Sequence, residues 1–237
     1  MKYFANFNTI SYDINGDGST REIANIFRKV KINPIFLDDI TFYTYYTILN
    51  GERPDTASFK LYGKVDYHWT FQLLNPWLVD MQKDWPMDSI ELNHYIEEKY
   101  PYKSLIIDDI ELASKYQVGE TLQGLVSGAT ATVLSKDVNL KQITIDNLVG
   151  NFADGEIVYG QTSEDYLTLV SQRDQQNAIH HYELTDGEIV DRFTVGAQAI
   201  TNYEYESILN EEHTKIKVIR PELIQTVTKK FIDVIKV

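Results

Sequence analysis

Asp13, Asn15, Asp17 and Gly18, in the stretch DINGDGST, stand where a calcium-binding EF-hand loop has its first three oxygen ligands and its sharp turn. Such a loop also needs a bidentate glutamate at its twelfth position, and Ala24 stands there. A turn fits better: Gly16 and Gly18 permit one, and Ser19 with Glu22 reads as a capping box that starts a helix through Ile23, Ile26 and Phe27. Glu120 and Glu156 follow a glycine in matching contexts and invite comparison with the acid pair of a glycosidase. Each comes after a turn glycine at a strand start, where an exposed acid is ordinary, and no acid–base constellation surrounds either. His180 and His181 are adjacent, so in a strand their side chains face opposite sides and cannot share one metal. His68, beside Trp69, reads as packed or surface, and His94 and His213 are isolated. GLVSGATA is glycine-rich but lacks the Gly-Lys-Ser/Thr ending of a phosphate loop. No G-x-S-x-G nucleophile elbow occurs. Glu97 and Glu98, in IEEKYPY, read as an exposed helix end rather than as the acids of a lysozyme-like hydrolase. The chain has no cysteine, which removes disulfides, thiolate zinc sites and cysteine nucleophiles. The sequence therefore predicts a protein that is not an enzyme, with no catalytic, cofactor-binding or metal-binding residue.

The elements that must position these residues fall into three segments: 1–104, 105–175 and 176–237. The middle one carries 4 basic against 11 acidic side chains, about half of the net charge of -13. So acidic a chain argues against nucleic acid and anionic membranes as partners. No apolar run approaches a membrane span and the N-terminus lacks the pattern of a signal peptide, so the expectation is a soluble protein of a reducing compartment. In the first segment, TFYTYYTI reads as a strand, and Pro54 opens a helix that Gly63 stops. DYHWTFQLLN then places Trp69, Leu73 and Leu74 on one helical face, ended by Asn75-Pro76. The middle segment repeats itself: YQVGETLQG (116–124) and FADGEIVYG (152–160) share an aromatic residue, Gly-Glu and a final glycine. Two copies are too few for a solenoid and predict a small β-barrel or β-sandwich of related hairpin units. In the last segment, Asp186-Gly187 marks a hairpin, TKIKVI a strand, and Pro221 the start of a helix. That helix carries Ile224, Val227, Phe231 and Ile235 as an apolar stripe that docks on its own chain or a partner, with Lys229, Lys230 and Lys236 toward its end.

YYTILNGERPDTASFKLYGKVDYHWTFQLLN (45–75) resembles a LysM-type module: a strand, a glycine turn, two short helices, an asparagine and a closing strand. More narrowly, ANIFRKVKI (24–32), RPDTASFKLYG (53–63) and YHWTFQLLN (67–75) resemble the LysM-like baseplate wedge protein of contractile-tailed, T-even-type bacteriophages. ITNYEYESILNEEHTKIKVIRPELIQTVTKKF (200–231) is similar to that family's tail, with a Tyr-rich entry, an Asn-Glu-Glu turn, a basic strand and a final helix. Residues 105–175 depart from the pattern and resemble small β modules inserted in phage tail proteins. The resemblance implies an α+β fold: a LysM-like N-terminal part, an inserted β-barrel or β-sandwich module, and a C-terminal hairpin, strand and docking helix. It implies a structural protein of the virion, assembled in the host cytoplasm, that links neighbouring wedges into a hexameric baseplate ring by binding other wedge subunits. It places partner contacts around the helices of the module, at Arg53, Tyr62, Trp69 and Asn75, with Arg53 the most exposed. The 16 tyrosines suit interfaces as well as cores. Taken literally, the module would instead bind peptidoglycan.

Overall fold

The protein is described here from a computed structural model, over residues 7–25 and 39–235. Near the N-terminus, β1 (Thr9–Tyr12) and β2 (Arg21–Ala24) form an antiparallel hairpin with Thr9 opposite Ala24. The turn between them is organised by one side chain. Asp13 accepts the backbone N–H groups of Gly16 and Gly18 at 2.7 Å, with Asn15 and Asp17 at 3.2 and 3.3 Å. DINGDGST is thus a turn, but it does not start a helix. Asp13 returns the chain antiparallel, and Glu22 and Ile23 fall opposite Ser11 and Ile10 in a β ladder, so the capping box has no helix to cap. Ile26, Phe27, Pro34 and most of ANIFRKVKI lie outside the described residues, as does Lys236.

β3 (Tyr43–Thr47) is the Tyr-rich strand. In α1 (Pro54–Tyr62), Pro54 occupies the first turn, where its missing N–H costs nothing. Gly63, at φ 68°, closes the helix by donating to the Phe59 carbonyl. The next stretch is helical but wound in two ways: Val65–Thr70 forms a 3-10 helix, and only α2 (Phe71–Leu74) is α-helical. α3 (Ser89–Lys99) leads into β4 (Lys103–Ile106), β5 (Thr121–Gly124), β6 (Thr130–Asp137), β7 (Gln142–Val149), β8 (Ile157–Gly160), β9 (Tyr166–Thr168) and β10 (Ser171–Asp174). β11 (Ile179–Glu183), β12 (Ile189–Val190) and β13 (Gln198–Thr201) follow, then α4 (Asn202–Thr214), β14 (Lys215–Ile219) and α5 (Ile224–Ile235). Asn210-Glu211-Glu212, expected as a turn, lies inside α4, where good helix formers carry the helix on to Thr214. The protein is a mixed α+β chain.

It divides into two compact units. One contains the described residues up to Ser89 together with those from Asn210 on; the other is Ile90–Leu209. In the first, β3 pairs antiparallel with β14, Tyr43 opposite Ile219 and Thr47 opposite Lys215, so the module's closing strand comes from the far end of the chain. Against this pair pack Ala57 of α1, Phe71 of α2, Leu78 and Trp85, with Ile216 and Val218 fully buried beneath them. The stripe of α5 docks on this same unit: Ile224 joins Tyr43, Tyr67 and Leu74, and the Phe231 ring lies 4.2 Å from that of Trp69.

In the second unit a seven-stranded antiparallel sheet runs in the order β10-β4-β7-β6-β5-β8-β9. Its two outer strands, β9 and β10, are consecutive pieces of one segment. Leu169 donates to the Glu156 carbonyl on one side and Val170 to the Ile106 carbonyl on the other, both at 2.8 Å, and the sheet curls as a half-barrel. Alternate strand residues fill its interior, Leu105, Leu122, Val133, Ile143, Ile145, Val158 and Leu167 among them. A second sheet, β12-β11-β13, contains the hairpin expected at Asp186-Gly187.

Candidate functional site

The four residues expected to meet partners occupy different environments. Arg53 caps α1 with extended backbone, and its side chain is 81% exposed beside Asp55 at 3.3 Å. Tyr62 is half-buried; its hydroxyl donates to the Ile219 carbonyl at 3.0 Å, and burial raises its pKa. Trp69 is 3% exposed, against Phe231. Asn75 is 4% exposed, and its amide reaches the Phe71 and Lys217 carbonyls at 2.7 and 2.8 Å while accepting the Lys217 N–H at 2.9 Å. Asn75 therefore fastens the end of α2 to β14, and only Arg53 presents its side chain freely to solvent. Phe59, six residues along α1, is 58% exposed.

The glutamates of the repeat differ from expectation. Both are buried, each 4% exposed, because each reaches across to the other copy. Glu156 accepts the N–H groups of Val126 and Ser127 at 3.0 Å, and the Ser127 hydroxyl and the Ala153 N–H at 2.7 Å. Glu120 accepts the N–H groups of Thr162 and Ser163 at 3.2 and 3.0 Å, the Ser163 hydroxyl at 3.3 Å and the Gln117 N–H. Four donors occupy the lone-pair capacity of each carboxylate, so both act as clamps on turns. The full motif is aromatic-x-x-Gly-Glu-x-x-x-Gly-x-x-Ser, and the serines, Ser127 and Ser163, were legible as part of it. The final glycine is required by close approach. A Cβ on Gly124 would lie 2.5 Å from Glu156 Oε1, and one on Gly160 2.5 Å from Ser163 Oγ. The copies pair through β5 and β8, with the equivalent residues Gln123 and Tyr159 opposite each other.

No protein-family model matches the chain, and no curated protein matches it.

His180 and His181 also depart from expectation. A register shift between Ile179 and His181 breaks the strict alternation of β11, and the two Nδ1 atoms meet at 2.8 Å. His180 stacks on Tyr205 at 3.8 Å, and His181 Nε2 lies 3.2 Å from Glu183. Burial, then the neighbouring His181, holds the His180 pKa below its ordinary value. Among the described residues no group of three or more His, Asp or Glu side chains is arranged to hold a metal ion.

Proposed function

We propose that this chain is a structural component of a contractile-tail baseplate, joining neighbouring wedges through protein–protein contacts made by a LysM-like unit. The observation that supports the reading is the joining of β3 to β14. Most of 45–75 and 200–231, two of the stretches that carry the resemblance, folds into one unit of strand, two helices and strand, although more than a hundred residues separate them. Arg53 and Phe59 are the exposed groups on α1 suited to partner contact, since arginine and aromatic anchors dominate interfaces. Ile90–Leu209 is then an insertion within the module.

The test is quantitative mass spectrometry of purified contractile-tailed particles from the source of this sequence. The expected result is a fixed, low copy number consistent with six-fold symmetry, measured against sheath and tube proteins. Absence from the particles overturns the proposal.

A further inference from the structure

Two imidazoles meet at the bulge in β11. The register shift between Ile179 and His181 leaves His180 without a residue opposite it on β13, and the two Nδ1 atoms come to 2.8 Å. Two ring nitrogens that close share one hydrogen, so one ring donates and the other accepts. Glu183 sets which. Its carboxylate, 3.2 Å from His181 Nε2, can only accept, so His181 carries its hydrogen on Nε2. His181 Nδ1 is then the bare acceptor, and His180 donates from Nδ1. His180 also stacks on Tyr205 of α4, with centroids 3.8 Å apart and planes inclined by 10°, while the His181 ring stands at 88° to the same tyrosine. Both histidines are half-buried. Through this pair, β11 holds the first turns of α4.

Protons act on this arrangement in two steps. A first added proton still leaves one hydrogen between the rings. On His180 Nε2 it leaves the contact as it is; on His181 Nδ1 it reverses donor and acceptor, with the His180 hydrogen moved to Nε2. A second added proton puts N–H groups of two cations face to face, and no acceptor remains. The surroundings oppose that step. Burial, then the neighbouring His181, holds the His180 pKa below its ordinary 6.5. Among the groups on other elements, Glu206 of α4 raises it and Lys99 of α3 lowers it, and these two are themselves paired at 2.8 Å. Tyr100 and the exposed Asp137 of β6 border the cavity that His180 lines. The neighbouring strands β12 and β13 bring no charged side chain. The sign follows from the lowered value. The unfolded chain takes up the His180 proton at the higher pH, so the contact is intact above 6.5 and its stabilisation is lost as pH falls from there through the folded value.

We propose that His180 and His181 form a proton-operated latch between β11 and α4, closed while the pair carries at most one added proton and released by the second. On release the His180 ring turns away from His181 and leaves Tyr205, which frees the first turns of α4. The latch lies wholly within Ile90–Leu209 and is independent of the wedge reading. The test is proton–nitrogen correlation NMR of the histidine rings in the isotopically labelled full-length chain, from about pH 8 to about pH 4.5. Hydrogen exchange of α4 is read over the same range and corrected for the intrinsic rate. At the upper end, His180 should carry its hydrogen on Nδ1 and His181 on Nε2. On acidification, His180 should become a cation only below 6.5, and the first turns of α4 should lose protection severalfold at that same midpoint. His180→Phe keeps a ring against Tyr205 but takes no proton, so its α4 should stay protected throughout. Should that variant fail to fold, His181→Gln removes the neighbouring charge and should move the His180 midpoint upward. A wild-type midpoint at or above 6.5 overturns the proposal, as does α4 protection that does not follow the midpoint. Loosening that persists in folded His180→Phe assigns the effect to Glu206 and Lys99 instead, and an unmoved midpoint in His181→Gln is equally fatal to the latch.

Discussion

At the scale of single residues, the second unit depends on charges used as braces. Burial by itself would raise the pKa of Glu156; the N–H and hydroxyl of Ser127 and the N–H groups of Ala153 and Val126 outweigh it and hold the pKa below the ordinary 4.5. Replacing Glu156 by Ala would remove the common acceptor of those donors, and a loss of about 2 kcal/mol is expected in urea unfolding followed by circular dichroism. The sign of the pH dependence follows from the lowered pKa. The unfolded chain takes up the proton more readily, so the stabilisation is complete above the ordinary carboxylate pKa and is lost as pH falls through the lower folded value. Glu156→Gln cannot titrate, so the gap in Tm between wild type and this variant should narrow between about pH 6 and about pH 3. A gap that stays constant would contradict the ionised clamp. The repeat of Gly-Glu was legible in the sequence, but burial of the acids was not, because each acts on a turn in the other copy, 42–43 residues away for Glu120 and 29–30 for Glu156. Likewise, the alternation rule separated His180 from His181 because a bulge leaves no mark in residue type.

At the scale of elements, α5 shows what periodicity does and does not reveal. Its apolar spacing was readable, as were Pro54 and Gly63 at the ends of α1, because these are local constraints on backbone and solvent exposure. The partner of the stripe was not readable: Trp69 lies in a 3-10 turn about 160 residues earlier in the chain. Phe231→Ala removes a ring that is 6% exposed and packed between Trp69 and Phe7, whose rings lie 4.2 and 6.4 Å away. The expected cost is about 3 kcal/mol in denaturant unfolding, with a red shift of tryptophan emission as water reaches Trp69. An unchanged midpoint would mean that α5 does not rest on this core. The pairing of β3 with β14 was equally hidden, since neither strand's pattern specifies how far along the chain its partner lies. The hairpin at the N-terminus is the clearest miss. Ser19 and Glu22 have the spacing of a helix cap, and only the grip of Asp13 on four N–H groups decides for the turn.

At the scale of the whole molecule, one unit is inserted into the other. Composition marked 105–175 by its acidity, but the unit also takes in α3, β11–β13 and most of α4, whose composition is unremarkable. The points of departure and return lie together: Met87 and Asn210 exchange two hydrogen bonds, at 2.8 and 3.0 Å. Insertions are tolerated where chain ends lie close. Joining Ser89 to Asn210 by a short Gly/Ser linker should therefore leave a first unit that unfolds cooperatively, with a urea m-value reduced in keeping with its size. Loss of cooperative unfolding would make the insertion part of that unit's core. If the first unit is also the wedge-binding part, Arg53→Glu combined with Phe59→Ala should lower incorporation into particles severalfold. These exposed positions should shift stability by no more than about 0.5 kcal/mol each.

The crossed carboxylates have a consequence for the history and the folding of the insertion. Each copy of the motif holds a turn it does not contain and depends on the other for its own, so neither is complete without its twin. The relation is that of an isologous contact, in which the same patch appears on both sides of a two-fold axis. Two separate peptides, each bearing one copy, would make the same bonds to each other that β5 and β8 make within the chain. The two copies of the motif meet as the halves of a dimer would, within a single polypeptide.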